Sequence, residues 1–261
     1  MKAIKRSFSF INKQLHNKTK VLQINNPKQK NALSGEVLSE LNSELKIADQ
    51  DPQISCLILT GNNEVFASGG SITEYLSYNS ASAYKTNILS NFDYITQVRK
   101  PLIGAVNGWA LGGGFQVALR CDILVAGGNA KFGHPEMKIA ATVGVGGSQL
   151  LPRIIGKYKA MDMILSTKQM TVQEALEAGL VSKVVAVEDT LTTAINLADK
   201  ISEMSLPAVM MAKDSINYSF EAPLTEALNY EKKLFYMSFG FPDRKEGMSA
   251  FLEKRTPKFI N

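Results

Sequence analysis

The 261-residue sequence is poor in the side chains that build metal and redox sites, with two cysteines and two histidines in all. So few, and none of them clustered, exclude a protein-ligated metal and a disulfide framework from expectation. Cys56 and Cys121 sit in the apolar segments SCLILTG and VALRCDILVA, where a thiol reads as a reduced core residue. No apolar run reaches the roughly 20 residues needed to span a bilayer. The basic N-terminus lacks the apolar stretch of a secretory signal. No membrane partner is expected, and the expected compartment is the cytoplasm, or the mitochondrial matrix if a transit peptide has been removed. Acid is missing from residues 1–35, which carry eight Lys/Arg. Of the 29 basic residues this leaves 21, against 24 acidic ones, so the net charge of +5 lies wholly in that segment. Such a patch suits a solvated hairpin surface or the steering of an anionic ligand. A nucleic-acid partner has no RNA-binding signature or aromatic platform behind it. Both G-x-G-x-x-G and G-x-x-x-x-G-K-[ST] are absent, so no dinucleotide or other redox cofactor is implied.

What is present is an ordinary globular composition, 45% hydrophobic and 20% charged, with no linker or internal repeat. Residues 3–12 and 19–25 read as two strands joined by a polar turn at 16–18. Pro27 interrupts the pattern. Ser34 opens a helix whose apolar face is Val37, Leu38, Leu41, Leu45 and Ala48, and Asp51-Pro52 ends it. ISCLILTG is the continuous apolar run of a buried parallel strand. The loop FASGGS, a helix over 81–98, a strand opened by Pro101, the loop ALGGG, a short helix over 115–120 and the strand DILVA follow. This strand–helix alternation predicts an α/β core with right-handed parallel crossovers. Beyond about residue 145 the patterns are helical, with three longer stretches between 190 and 255. LVSKVVAV at 180–187 is the one late strand candidate.

Three glycine-rich loops carry the chemical interest: FASGGS (66–71), ALGGG (110–114) and VGVGG (143–147). Glycine at strand–helix junctions lets a ligand approach the backbone, and free amides at a helix start favour negative charge. Any one alone fits a tight turn. Together and in order they resemble the crotonase superfamily, specifically its enoyl-CoA hydratase/isomerase branch. The resemblance rests on NPKQKNALS, LTGNNEVFASGGSITEY, KPLIGAVNGWALGGGFQVALRCDILVAGGNAKFGHPE, GVGGSQLLPRIIG, ALEAGLVSKVV and KKLFYMSFGFPDRKEGMSAFLEKR, nearly the whole chain.

The resemblance implies a crotonase-like core of ββα repeats in a spiral (residues 1–195) and a helical C-terminal trimerisation region (196–261). It implies an oxyanion hole made of the Gly70 and Gly113 amides, which holds the thioester oxygen while a proton leaves the adjacent carbon. Hydratases of the family carry one glutamate just after the triple glycine and another in a PE dipeptide. Here the second is Glu136, but Gln116 stands at the first position. Glutamine cannot exchange a proton at neutral pH. The expected reaction is therefore Δ3/Δ2-enoyl-CoA isomerisation with Glu136 as the single acid/base. Hydration with Gln116 merely positioning water is the alternative, and thioester decarboxylation and related lyase chemistry also use this oxyanion hole. A weakly catalytic homologue serving as a binding protein is a further class. His134 reads as a hydrogen-bonding or loop-filling residue, and Trp109 and Asp122 as structural. For the coenzyme A moiety the resemblance points to Ala67, Ser68 and Gly69 around the adenine, with Phe235, Phe251 and Lys254 across a subunit interface. The substrate is an acyl-CoA, with an acyl-carrier protein as an alternative carrier, and the assembly a homotrimer or homohexamer. Ser71 replaces an aspartate common in the family.

Overall fold

Side-chain alternation along the central strands divides the core in two. The structure, a computed structural model, describes residues 9–260. It opens with a hairpin of β1 (Ile11–His16) and β2 (Thr19–Ile24), turning at Asn17 with φ 50°. A two-residue strand β3 (Ala32–Leu33) precedes helix α1 (Gly35–Gln50), which Ser34 caps by accepting a hydrogen bond from the Val37 amide. The buried face of α1 is Val37, Leu38, Leu41, Leu45 and Ala48, the stripe expected from the sequence. Three strand pairs follow. In each, the first strand enters the large sheet and the second leaves it for a smaller one. The pairs are β4 (Cys56–Thr60) with β5 (Val65–Ala67), β7 (Leu102–Val106) with β8 (Trp109–Leu111), and β9 (Ile123–Gly127) with β10 (Lys131–Gly133). Between β5 and β7 lie β6 (Gly69–Gly70) and two short helices, α2 (Ile72–Tyr75) and α3 (Ser80–Thr86). Helix α4 (Gly113–Ala118) joins β8 to β9, and α5 (Gly147–Ile155) and α6 (Lys157–Ser166) come after β10.

After α6, β11 (Met170–Thr171), α7 (Val172–Glu177) and β12 (Lys183–Val185) complete the sheets. The large sheet runs β1-β2-β4-β7-β9-β12, parallel except for the β1–β2 hairpin; the smaller ones run β11-β10-β8-β5 and β3-β6. On β4, Leu57 and Leu59 join the α1 side of the core while Cys56 and Ile58 face the opposite layer. That layer is helix α8 (Thr190–Ser202), whose Ala194 and Ala198 pack on Val21, Ile103, Ala105 and Val125. Helices α9 (Leu206–Tyr218), α10 (Leu224–Met237) and α11 (Pro242–Leu252) follow. No helix among the described residues is long and apolar enough to cross a membrane.

Several expectations need correction. The strand expected over 3–12 falls mostly on residues 1–8, which lie outside the described residues. The strand present starts at Ile11 and continues to His16, because its pattern of one buried position and four exposed ones is that of an edge strand, not an apolar run. The helix expected over 81–98 breaks at Asn87, which adopts the left-handed conformation (φ 48°), and a 3-10 turn spans Ser90–Gln97. FASGGS and ALGGG, read as loops, contain the short strands β5, β6 and the end of β8. Helix α4 begins two residues earlier than expected, inside the triple glycine. The division at 195/196 falls within α8, between two alanines that pack on the large sheet, so α8 goes with the core.

Candidate active site

The site is assembled by the second strand of each pair. Strand β6 runs parallel to β3, with Ala32 opposite Gly69 and Leu33 opposite Gly70. The NPKQKNALS segment therefore holds the first glycine pair in place. Asn31 anchors it, donating its side-chain amide to the Val65 and Phe66 carbonyls while its Oδ1 accepts from the Asn26 amide. The triple glycine then packs against this strand. Gly112 takes φ +50°, and a Cβ there would lie 3.4 Å from Glu136 Oε1. A Cβ on Gly113 would lie 3.2 Å from the Gly70 nitrogen, so the two segments bearing the candidate amides meet. At Gly114 a Cβ would run into the Ala67 carbonyl oxygen, which only glycine avoids. The Gly113 amide belongs to the first turn of α4, whose N–H groups have no intrahelical acceptor.

Behind these glycines, Gln116 is 2% exposed and fully engaged at its oxygen. Its Oε1 accepts from the Val145 amide at 2.6 Å and the Gly147 amide at 3.1 Å. That arrangement turns its Nε2 toward Glu136, and Nε2 donates to Glu136 Oε1 at 3.1 Å. His134 Nδ1 lies 3.4 Å from the same carboxylate oxygen, which places the proton on Nδ1 if the two are bonded. The His134 ring stacks on Phe115, with centroids 4.9 Å apart. Glu136 itself rides on a 3-10 turn (Glu136–Ile139) and keeps 15% of its side chain exposed. Its two oxygens differ. Oε1 is held from two sides, whereas Oε2 is buried without a hydrogen-bond partner among the described residues. One carboxylate, oriented by two neighbours and with one oxygen to spare, stands beside paired amide-bearing glycines. This is an arrangement for moving a proton next to a carbonyl group.

The sequence matches the enoyl-CoA hydratase/isomerase family over residues 15–261. It is 44% identical over 244 residues to a mitochondrial enoyl-CoA hydratase of Pongo abelii, covering 94% of this chain and 84% of that one. It is 41% identical over 239 residues to the 2,3-dehydroadipyl-CoA hydratase of Escherichia coli K12, covering 92% and 94%. The fold matches an enoyl-CoA hydratase from Bacillus anthracis with a TM-score of 0.90 and 33% identity, over 96% of this chain and 98% of that one. The chain belongs to the enoyl-CoA hydratase/isomerase family. It is an enzyme with the crotonase fold, as the sequence motifs implied.

Membership in this family accounts for the glycine loops but not for every residue singled out with them. Gly70, Gly113, Gln116 and Glu136 converge, and Ala67, Ser68 and Gly69 run alongside them. Phe235, Phe251 and Lys254 do not join them within one chain. Helix α10 packs on α9 and on the turn Ser238–Gly240, and α11 packs on that turn. Phe235 and Phe251 are 58% and 83% exposed. Asp122 is structural, accepting from the Leu102 amide and pairing with Lys213 of α9 at 2.7 Å.

The structure also adds residues that the sequence left without a role. Val145 and Gly147 belong to the third glycine loop, which was noticed, but its amides serve Gln116. Tyr75 packs its ring against Gly70, and burial, with the Glu74 carboxylate second, raises its phenol above the ordinary value. Phe92 faces Gly113 from the other side. The sequence gives neither aromatic a role, although Tyr75 ends the LTGNNEVFASGGSITEY segment, so the folded chain is what reveals them. No group of three or more His, Cys, Asp or Glu among the described residues is placed to hold a metal.

Proposed function

We propose that this enzyme acts on an enoyl-CoA thioester by proton transfer at Glu136, with Δ3/Δ2 double-bond isomerisation as its principal reaction. The observation that carries this reading is the orientation of Gln116. Its carbonyl is taken by two backbone amides and its NH2 donates to Glu136, so it serves as a holder and cannot be a second acid. One carboxylate suffices for isomerisation. The thioester oxygen accepts from the Gly70 and Gly113 amides. The Glu136 carboxylate takes a proton from C2 of a 3-enoyl thioester, and the electron pair spreads over the dienolate. The same carboxyl group then returns the proton at C4, leaving the conjugated 2-enoyl thioester. A proton beside a thioester is only weakly acidic, so the developing enolate needs donors already in place. Losing one such donor typically costs about 10²–10³ in rate.

Hydration of a 2-enoyl-CoA is the second reading. The names of the relatives favour it. For the rest of the substrate, Ala67–Gly69 fit the adenine side. The exposed Phe235, Phe251 and Lys254 fit coenzyme A contacts made between subunits of a homotrimer or homohexamer. An acyl-carrier protein is the alternative carrier.

The deciding experiment follows two conversions with purified protein: a 3-enoyl-CoA to its 2-enoyl isomer, and water addition to crotonyl-CoA. Isomerisation without hydration, lowered by about 10²–10⁴ in Glu136→Gln, is the expected result. Efficient hydration by the native enzyme would establish the second reading instead. Activity in neither would turn the search to other acyl thioesters or to a binding role.

A further inference from the structure

Arg120 lies one helical turn beyond Gln116, just past the end of α4, and none of the roles above uses it. Its side chain is 10% exposed. Nε and Nη2 both donate to the Val145 carbonyl, at 3.3 and 3.0 Å. Asp93 Oδ1, 4.0 Å from Nη2, is its only acidic neighbour among the described residues. Burial draws the guanidinium below its ordinary value and Asp93 opposes this, but an arginine stays charged in either case.

The geometry points to Arg120 as a positioning residue for proton transfer at Glu136. Arg120 sits two residues past the end of α4, and its hydrogen bonds and those of Gln116 grip the same loop. The peptide whose carbonyl Arg120 holds lies between the two peptides whose N–H groups hold Gln116. That loop is VGVGG, with Gly146 at φ +105°, and its glycines contribute no side chains to restrain it. A side-chain amide has two orientations related by a flip. With the Val145 and Gly147 amides fixed, the Gln116 oxygen must face them and its NH2 must face the carboxylate. Released, the amide can turn its oxygen toward Glu136, and the carboxylate loses a donor. Arginine suits the task because its planar fork places two donors on one carbonyl, whereas lysine offers a single flexible point charge.

This role rests on Glu136 being the proton-transferring group, so the test separates the two. Kinetics of Arg120→Met, Gln116→Ala, the double variant and Arg120→Lys are measured on the full chain, in whichever of the two conversions it catalyses. Arg120→Met is expected to lower kcat by about tenfold, the equivalent of one hydrogen bond, with KM within about twofold. Arg120→Lys should recover part of that loss. If Arg120 acts through Gln116, the double variant is no slower than Gln116→Ala alone. Multiplied losses in the double variant, an unchanged kcat in Arg120→Met, or a loss confined to KM overturns the proposal. Where Arg120→Met fails to fold, Arg120→Lys carries the same cycle, and its loss must vanish in the Gln116→Ala background. Glu136→Gln runs alongside. Full activity there removes the base assignment, whereas an inactive Glu136→Gln with an additive Arg120 effect removes only the positioning role.

Discussion

Replacing Gln116 with leucine should destabilise the enzyme more than replacing it with alanine. The usual order for core positions is the reverse, since a smaller side chain leaves a larger cavity. Here the side chain matters through its oxygen, which satisfies the Val145 and Gly147 amides in a region where both residues are buried. Leucine fills the same space with carbon and strands both donors. Each orphaned buried group costs about 1–3 kcal/mol, so the pair costs about 2–6 kcal/mol. Alanine also removes the acceptor but opens room for a water molecule, which can take the two amides and bridge toward Glu136. Its cost should fall toward the low end of that range. For a chain of this size each kcal/mol moves Tm by roughly 2–4 °C, so a 4 kcal/mol loss in Gln116→Leu reads as roughly 8–16 °C. Thermal or urea unfolding of the two variants beside the native protein measures the difference. Gln116→Leu as stable as Gln116→Ala, or within about 0.5 kcal/mol of the native protein, would refute the idea that Gln116 is fixed by those amides. Nothing would then hold the Gln116 NH2 toward Glu136.

Three further outcomes are expected. Gly114→Ala forces a Cβ against the Ala67 carbonyl, and should cost about 1–3 kcal/mol by unfolding while also lowering turnover, because α4 must shift to admit it. Burial pushes the Cys56 thiol up to about 12 and raises Cys121 as well, so a thiol reagent should label neither in the native state and both after unfolding. Glu174 is held down to about 2, first by the Thr171 amide, then by the Thr171 hydroxyl and Lys168. Its folded value is depressed, so its stabilising contribution is present above about 4.5 and lost as pH falls toward about 2. The carboxyl carbon-13 shift of Glu174 should titrate in that low window, and Glu174→Gln should flatten the stability curve there; a midpoint near 4.5 contradicts the capping geometry.

Legibility in the sequence followed the strength of local signals. The α1 stripe at 37, 38, 41, 45 and 48 was readable because helical period and a serine cap coincide in one segment. The buried strands β4 and β7 were readable as continuous apolar runs. The second sheet was not. Strands of two or three residues such as β6 and β8 have no period to detect, and their pairing partners lie 22 or more residues away. The same contrast holds at the site. Gly70, Gly113, Gln116 and Glu136, which the fold brings together, were singled out because they sit in motifs, and the departure at 116 stood out against that pattern. Tyr75 and Arg120 lie in the same segments and Phe92 outside them, but none of the three was singled out, since their contacts with Gly70, Val145 and Gly113 form only when distant segments fold together.

Helix α4 explains why a single residue can decide the chemistry. Within about two turns the α4 segment offers the Gly113 amide at its start, the Gln116 side chain on its buried face and, just past its end, the Arg120 guanidinium. Gly113 is tied to β6, Gln116 to Glu136 and the VGVGG loop, and Arg120 to that same loop. Because the amides at 145 and 147 present donors, the pocket at 116 accepts either a carboxylate or an amide oxygen of the same shape. Toward Glu136 the two differ: glutamine donates its NH2 to Oε1, whereas a glutamate would set a second carboxylate against it. A side-chain amide at 116 thus satisfies the VGVGG loop and Glu136 at once, and brings no titratable proton of its own.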